Sequence, residues 1–368
     1  MNSGEAFMPL QLRGGTTLKN RVLLAPMTTY SSHEDGRIAD DELTYLHRRA
    51  ASGLAGVITA ACYVHKSGHA FRGQWSCSRD EDLPSLRAAC EAIHSGGSTA
   101  FLQIHHGGRM APSSLCGQSV SASAVPAERP NAETPKELTK PEIREIIDAY
   151  AKAAWRAREA GYDGVEIHGA NTYLIQQFVS PHSNRRSDEY GEDRLLFVRE
   201  LVESVLAAVG PNFDVGYRFS PEEMETPGIR WEHTHDLVET LLHYPLSFLH
   251  VSLRDFRQEW QEGPQGKKIL NTLAEWVDKR VPLMAVGSIR TLKDIEVALS
   301  AGADLVSVGR AAVVDPDWFQ NISSEIEPMT LIKPRAEAAV HVVPAGLEER
   351  IYTVPGWFPM EEPKQTAL

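Results

Sequence analysis

The sequence predicts an α/β chain closed into a (β/α)8 TIM barrel. Three observations carry that prediction: eight short apolar runs, longer amphipathic helical patterns between them, and no GxGxxG after any run. Near-continuous apolar strands separated by helices mean a parallel sheet covered on its outside, and eight of them suggest closure. A doubly wound open sheet would alternate in the same way. The missing glycine fingerprint removes the usual dinucleotide pocket of that alternative.

Taken in order, the stretch LQLRGGTTLKN reads as an N-terminal β-hairpin turning at Gly14-Gly15. Buried strands follow near Val22 to Ala25, Gly56 to Ala60, Ala100 to Ile104 and Gly164 to His168. Four more lie near Asp214 to Phe219, Phe248 to Ser252, Pro282 to Val286 and Leu305 to Gly309. Helical periodicity fills the intervals at Leu83 to His94, Lys140 to Ala160, Asp193 to Val209 and Leu292 to Ala301, the last closed by Gly302 as a C-cap. The segment Pro112 to Leu138 is rich in Ser, Ala and Pro and has no period, so it reads as a long loop after strand 3 that forms a lid or pocket wall. The whole chain, 1–368, reads as a single domain, with the barrel at about 20–325 and an irregular tail at 326–368 that carries Tyr352, Trp357 and Phe358.

Composition narrows the function classes. A net charge of −12 over 368 residues disfavours a surface that tracks nucleic acid or an anionic membrane, while leaving room for a local basic pocket. The four cysteines, Cys62, Cys77, Cys90 and Cys116, form no CxxC pair and no metal-type spacing, as expected of a reduced, cytoplasmic protein. The opening MNSGEAFMPLQLRGG lacks a basic start and an apolar core, and no run is long enough to span a bilayer, so neither secretion nor membrane insertion is expected.

In a barrel, the C-terminal strand ends carry the chemistry. They deliver Pro26-Met27-Thr28, then Gln103 with His105-His106, His168, Arg218, Gly287-Ser288 and Gly309-Arg310. Each has a plain structural alternative: His168 as a hydrogen-bonded core histidine, Gln103 and Arg218 as caps of the barrel interior, Met27 as core. His105 and His106 invite a metal reading, yet neighbouring strand residues point to opposite faces and cannot easily share one ion. No metal is expected. The fragments VGSIR and GADLVSVGR follow the last two strands, where barrels hold phosphate on backbone N–H groups, so a phosphorylated ligand is expected, with Arg310 adding charge.

These residues together resemble the old yellow enzyme family of flavin mononucleotide (FMN) oxidoreductases. The likeness runs through LKNRVLLAPMTTY, FLQIHHGGR, GYDGVEIHGANTYLIQQFVSPHSNRRSDEYGEDR, YRFSPEE, AVGSIR and ADLVSVGRAAVVDPDW, from about Leu18 to Trp318. The resemblance implies noncovalent FMN lined by Ala25, Pro26, Met27 and Thr28 with Ala61 near the ring. It implies Gln103 on the pyrimidine edge, Arg218 beside the N1/O2 edge, and Gly287, Ser288, Gly309 and Arg310 on the phosphate. It implies that His168 and Asn171 donate hydrogen bonds to an electron-poor acceptor or to the nicotinamide carboxamide, with Tyr30 also contacting substrate and Tyr173 giving the proton. NADH or NADPH is then the reductant in a ping-pong cycle that ends on activated alkenes, quinones or flavin.

Some features depart from particular branches of that family. Thr28 stands where one branch has cysteine, and Asn171 where it has a second histidine. The cysteine cluster of iron–sulfur relatives is absent, because no cysteine follows Cys116. In the tail, IYTVPGWF has no arginine just before Gly356-Trp357, where some dimeric relatives send one into the neighbour's site; Arg350 and Arg335 are the substitutes at hand, and a homo-oligomer is left open. Two competing readings remain at this point: a metal-dependent barrel hydrolase built on His105, His106, His168 and His250, and a flavin-binding barrel without turnover.

Overall fold

Eight parallel strands close into the expected barrel in the computed structural model, which describes residues 4–263 and 265–362. The ends of the proposed single domain, 1–3 and 363–368, lie outside the described residues, as does Pro264. The strands are β1 (Val22–Leu24), β2 (Gly56–Ile58), β3 (Thr99–His105) and β4 (Gly164–Gly169), then β5 (Asp214–Phe219), β6 (Phe248–Val251), β7 (Leu283–Val286) and β8 (Leu305–Val308). Each pairs in parallel with the next, and β8 returns to β1 through Val308 opposite Leu24. The hairpin Leu10–Gln11 with Thr17–Leu18 forms as read. It plugs the N-terminal end, where Gly14 N donates to Asp214 Oδ1 at 2.7 Å.

The interior changes character along the barrel axis, and the two-residue period of the strands explains how. Leu23, Phe101, Phe248, Met284 and Leu305 form an apolar floor with Leu12 and Leu18 of the hairpin. Two residues further on, the same faces carry Ala25, Gln103, His250, Val286 and Ser307. On β4 and β5 that layer holds Glu166 and Arg218, and one step beyond lie His105 and His168. Val165 and Ile167 face outward into the large core shared with the helices, beside Ile147, Ala153 and Ala157. Alternation therefore sorts one strand, VEIH, into a greasy outer side and an ionisable inner side.

Helices cover the outside. Lys140–Ala160 matches its expected span, because Thr139 and Glu142 form a reciprocal capping box and Gly161 ends it at φ 96°. Leu196–Val209 begins three residues later than expected, since Asp193 uses its carboxylate on Leu195 N. The tail corrects the sequence reading. It is not irregular throughout: a 3-10 segment spans Arg335–His341 and a helix spans Ala345–Thr353, burying Leu347 and Ile351 one turn apart. The buried Arg49 guanidinium ties this segment down by donating to Val313 O at 3.3 Å and His341 O at 2.5 Å. Beyond it, Ile332 N donates to Pro359 O at 2.9 Å, which draws the chain's last described stretch back over the barrel mouth.

Candidate functional site

At the C-terminal strand ends lies a cavity of about 670 Å³, within the usual size of a cofactor or ligand pocket. Ala25, Pro26 and Met27 line it from β1, Arg218 from β5, Gly287 and Ser288 from β7, and Gly309 and Arg310 from β8. The tail supplies Met329, Trp357 and Pro359 to the same wall, and Arg310 Nη1 lies 3.5 Å from Trp357 O. Gly287 has φ 119°, and a Cβ there would stand 2.6 Å from Leu253 O, so the turn takes only glycine and leaves bare backbone on the cavity. Of the predicted residues, Tyr30, His168, Asn171 and Tyr173 do not line this cavity, and three of the predicted cofactor residues do not either. Thr28 is half-buried, and no hydrogen bond engages its side chain among the described residues. Ala61 is buried behind it, and Gln103 lies deeper at 2% exposure.

Beneath the cavity is a polar layer that the sequence reading passed over. Glu166 accepts from Gln103 Nε2 at 2.7 Å and from His250 Nδ1 at 2.6 Å, while His250 Nε2 meets Ser307 Oγ at 2.9 Å. Burial would raise the Glu166 carboxyl, but His250 and Arg218 outweigh it and hold the group below its ordinary range. Burial lowers the pKa of His250 itself, against the opposing pull of Glu166. One Gln103 N–H is therefore committed downward, and its carbonyl and second N–H remain for a ligand. Arg218 donates from Nη2 to Ser252 Oγ at 3.1 Å, yet its buried Nε has no partner among the described residues. A desolvated guanidinium with an unmade hydrogen bond is costly unless something electron-rich meets it.

The groups after β4 face the same mouth. His168 is 4% exposed, and burial, then His105 and Arg218, lower its pKa far below that of a free imidazole. Its Nδ1 accepts from Ala170 N at 3.3 Å, so the proton of the neutral ring sits on Nε2. Asn171 stands at φ 57°, a conformation asparagine tolerates better than most residues. Ser252 Oγ, already accepting from Arg218, donates to Asn171 Oδ1 at 3.1 Å, which turns the amide NH2 outward as a donor. Tyr173 follows, its ring perpendicular to His168 with centroids 5.1 Å apart. Burial pushes its phenol up to about 12, with Tyr30 adding to the rise and Arg129 opposing it.

Tyr30 closes the other side. Its backbone, at φ 57°, is gripped between Gly73 and Gly346; a Cβ on either would fall 2.3 or 2.1 Å from its carbonyl. The Arg350 guanidinium lies over the Tyr30 ring, 4.6 Å from its centroid, a cation held against the aromatic face. Ala127, Glu128 and Arg129 of the long loop after β3 line a neighbouring cavity of about 770 Å³ with Asn171 and Ser220, which makes that loop a pocket wall. The four histidines of the metal reading do not converge. His106 turns away to Ser67 Oγ at 2.9 Å, and His250 sits below on Glu166. Among the described residues, no three His, Cys, Asp or Glu side chains gather as a metal site.

The residues missed by the sequence reading are Glu166, Ser252, Ser307 and Gln74. Only Glu166 carried a signal: an ionisable residue inside an apolar run, two positions before His168 and therefore on the same face.

Comparison with known proteins identifies the family. The model of the NADH:flavin oxidoreductase / NADH oxidase family matches residues 5–328. A protein of Bacillus subtilis named a probable NADH-dependent flavin oxidoreductase is 39% identical over 97% of this chain and 98% of its own length. An NADH:fumarate oxidoreductase of Klebsiella pneumoniae is also 39% identical over 93% of this chain, which spans only 38% of that protein. Among solved structures, an old yellow enzyme homologue from Zymomonas mobilis superposes with TM-score 0.79 at 27% identity, covering 89% of this chain and 95% of the other. A morphinone reductase variant in complex with tetrahydroNAD gives TM-score 0.78 at 25% identity over 99% of both chains.

Proposed function

The chain belongs to the NADH:flavin oxidoreductase / NADH oxidase family and is an NAD(P)H-dependent flavin oxidoreductase; from that premise we propose that its barrel mouth holds noncovalent FMN and serves small electron-poor acceptors. Held there, the flavin would supply the hydride chemistry between NADH or NADPH and an activated alkene, a quinone or free flavin. One observation carries the cofactor assignment. The cavity's lining combines a buried, partly unpartnered cation, Arg218, apolar Met27 and Val286, and bare glycine backbone with Arg310. That set of environments suits a flat ring with an electron-rich edge joined to one phosphate.

On this reading Ala25, Pro26, Met27, Thr28 and Ala61 pack the ring, Gln103 and Arg218 meet its polar edge, and Gly287, Ser288, Gly309 and Arg310 hold the phosphate. Glu166 keeps the Gln103 amide in one orientation. His168 and Asn171 present neutral N–H donors to an acceptor's oxygen or to the nicotinamide carboxamide, each pinned by a bond on its other side. Such preset donors stabilise developing negative charge without reorganising. Tyr173 holds the proton for the acceptor's carbon, and its raised pKa keeps that proton in place until carbanion character draws it off. Tyr30, with Arg350 behind it, walls the acceptor side.

The test is anaerobic titration of the yellow protein with NADH and NADPH separately, then reoxidation by an enone, a quinone, free flavin and fumarate. Bleaching by at least one nicotinamide and recovery of colour with an enone or quinone are expected. A protein that releases FAD on denaturation, or that neither nicotinamide bleaches, overturns the reading.

A further inference from the structure

His105 has no role in the chemistry above, although it is fully buried at the centre of the site. It follows Gln103 by two residues on β3, so it faces the interior one step nearer the mouth. Gln74 fixes its tautomer. The Gln74 carbonyl oxygen accepts from Ala70 N at 2.8 Å; its amide nitrogen donates to Ala61 O at 3.2 Å and lies 3.0 Å from His105 Nδ1. With the amide oriented this way, Nδ1 can only accept, and the ring's proton sits on Nε2. Burial lowers the His105 pKa to about 3, which keeps the ring neutral.

That Nε2–H is buried and finds no nitrogen or oxygen partner among the described residues. What stands against the ring is Tyr173. The two rings are perpendicular, at 85°, with centroids 4.3 Å apart, closer than the roughly 4.5–7 Å usual for aromatic pairs. His168 is further at 5.3 Å and Phe71 at 6.3 Å, both tilted. A perpendicular approach this short sets the otherwise unmet N–H beside the phenol ring, whose π face can accept it.

We propose that His105 is a positioning residue for Tyr173: its Gln74-locked Nε2–H points into the face of the phenol ring, orients it, and eases its loss of a proton to the acceptor. When the phenol O–H bond breaks and its proton passes to the acceptor's carbon, the electron pair stays on the tyrosine and spreads into its ring. The N–H then faces a more negative surface and is held more strongly than before. The interaction is thus stronger after proton transfer than before it, which is the condition for helping the step. Solvent returns the proton to the phenolate afterwards.

The catalytic part of this proposal rests on the function proposed above; the contact itself does not. Imidazole-labelled ¹⁵N NMR of the intact protein reads the contact directly. One histidine should show a protonated Nε2, a bare Nδ1 and an Nε2–H proton shifted upfield by the tyrosine ring, and Tyr173→Leu should remove the upfield shift. Gln74→Met should mix the two tautomers. A His105 signal with its proton on Nδ1, or without ring shift, overturns the proposal even if no variant folds. For catalysis, His105→Phe keeps the perpendicular ring and deletes the N–H. It should lower the ratio of enone to quinone reoxidation rates about three- to tenfold, and should leave that ratio unmoved in a Tyr173→Phe background. An undiminished ratio, or an equal loss without the Tyr173 hydroxyl, refutes the role in proton transfer. Failure of both nicotinamides to reduce the protein would instead count against the function, with the NMR result unaffected.

Discussion

Replacing Tyr173 by Phe isolates the proton from everything else in the site. The phenyl ring keeps its perpendicular contacts with His105 at 4.3 Å and His168 at 5.1 Å. Among the described residues no hydrogen bond holds the hydroxyl, so its removal orphans no partner and should cost the fold less than about 1 kcal/mol. With a phenol pKa of about 12, the wild-type group is fully protonated at neutral pH and always loaded as a donor. Its loss should therefore appear wholly in the step that uses the proton. A positioned acid contributes roughly 10² to 10⁴ in rate, or about 2.7–5.4 kcal/mol of barrier. Stopped-flow absorbance of each half-reaction measures it. Enone-driven reoxidation should slow by that factor, quinone-driven reoxidation much less, because an oxygen anion takes its proton from water, and reduction by NAD(P)H should stay within a few fold. If reduction slows as much as enone turnover, Tyr173 is a positioning residue and the proton comes from elsewhere.

Arg218→Met removes the buried cation from the cavity floor; a screened loss of roughly 1–2 kcal/mol should lower the flavin's two-electron potential by some tens of mV in a dye-coupled titration, and an unchanged potential with flavin still bound would assign Arg218 another task. Arg310→Ala should weaken FMN retention in equilibrium dialysis while circular dichroism stays unchanged, whereas undiminished retention would place the phosphate elsewhere. The pH profile of enone reduction should be flat between about pH 5 and 10, because the working neutral form of His168 persists above its lowered pKa and the protonated Tyr173 persists below about 12; a limb near pH 6–7 would reveal a titrating imidazole. The same lowered histidine values carry a stability consequence with a definite sign. Unfolded imidazoles take protons that buried His105 and His168 refuse, so denaturant midpoints should fall as pH drops below about 6.5, and a midpoint that rises there would contradict their burial.

The barrel was legible because its signals are local. The helix Lys140–Ala160 carries its start and stop in Thr139, Glu142 and Gly161, and the strands stand out as short, mostly apolar stretches between amphipathic ones. The tail helix Ala345–Thr353 carried no such marks: it is nine residues long, and no side chain caps it. At the site, the strand-end rule brought together Ala25, Met27, Arg218, Gly287 and Arg310, because position along a barrel strand is itself a sequence property. What escaped was orientation. Nothing local says that Ser252 turns the Asn171 amide, that Glu166 holds Gln103, or that Arg350 lies over Tyr30, since those partners sit tens to hundreds of residues apart.

The grip of Gly346 on the Tyr30 carbonyl has a bearing on how the protein is made. The cavity wall joins Ala25 to Met27 with Met329, Trp357 and Pro359, which are translated long after them, and the wall beside Tyr30 waits for Gly346 to dock. Strands and helices of the barrel can form as the chain emerges, but the compartment they enclose stays open on one side until the segment through Pro359 has left the ribosome. A nascent chain stalled before that point would carry every strand of the barrel and still lack a closed chamber. Closure of the chamber thus comes later in the life of the chain than the making of its last barrel strand.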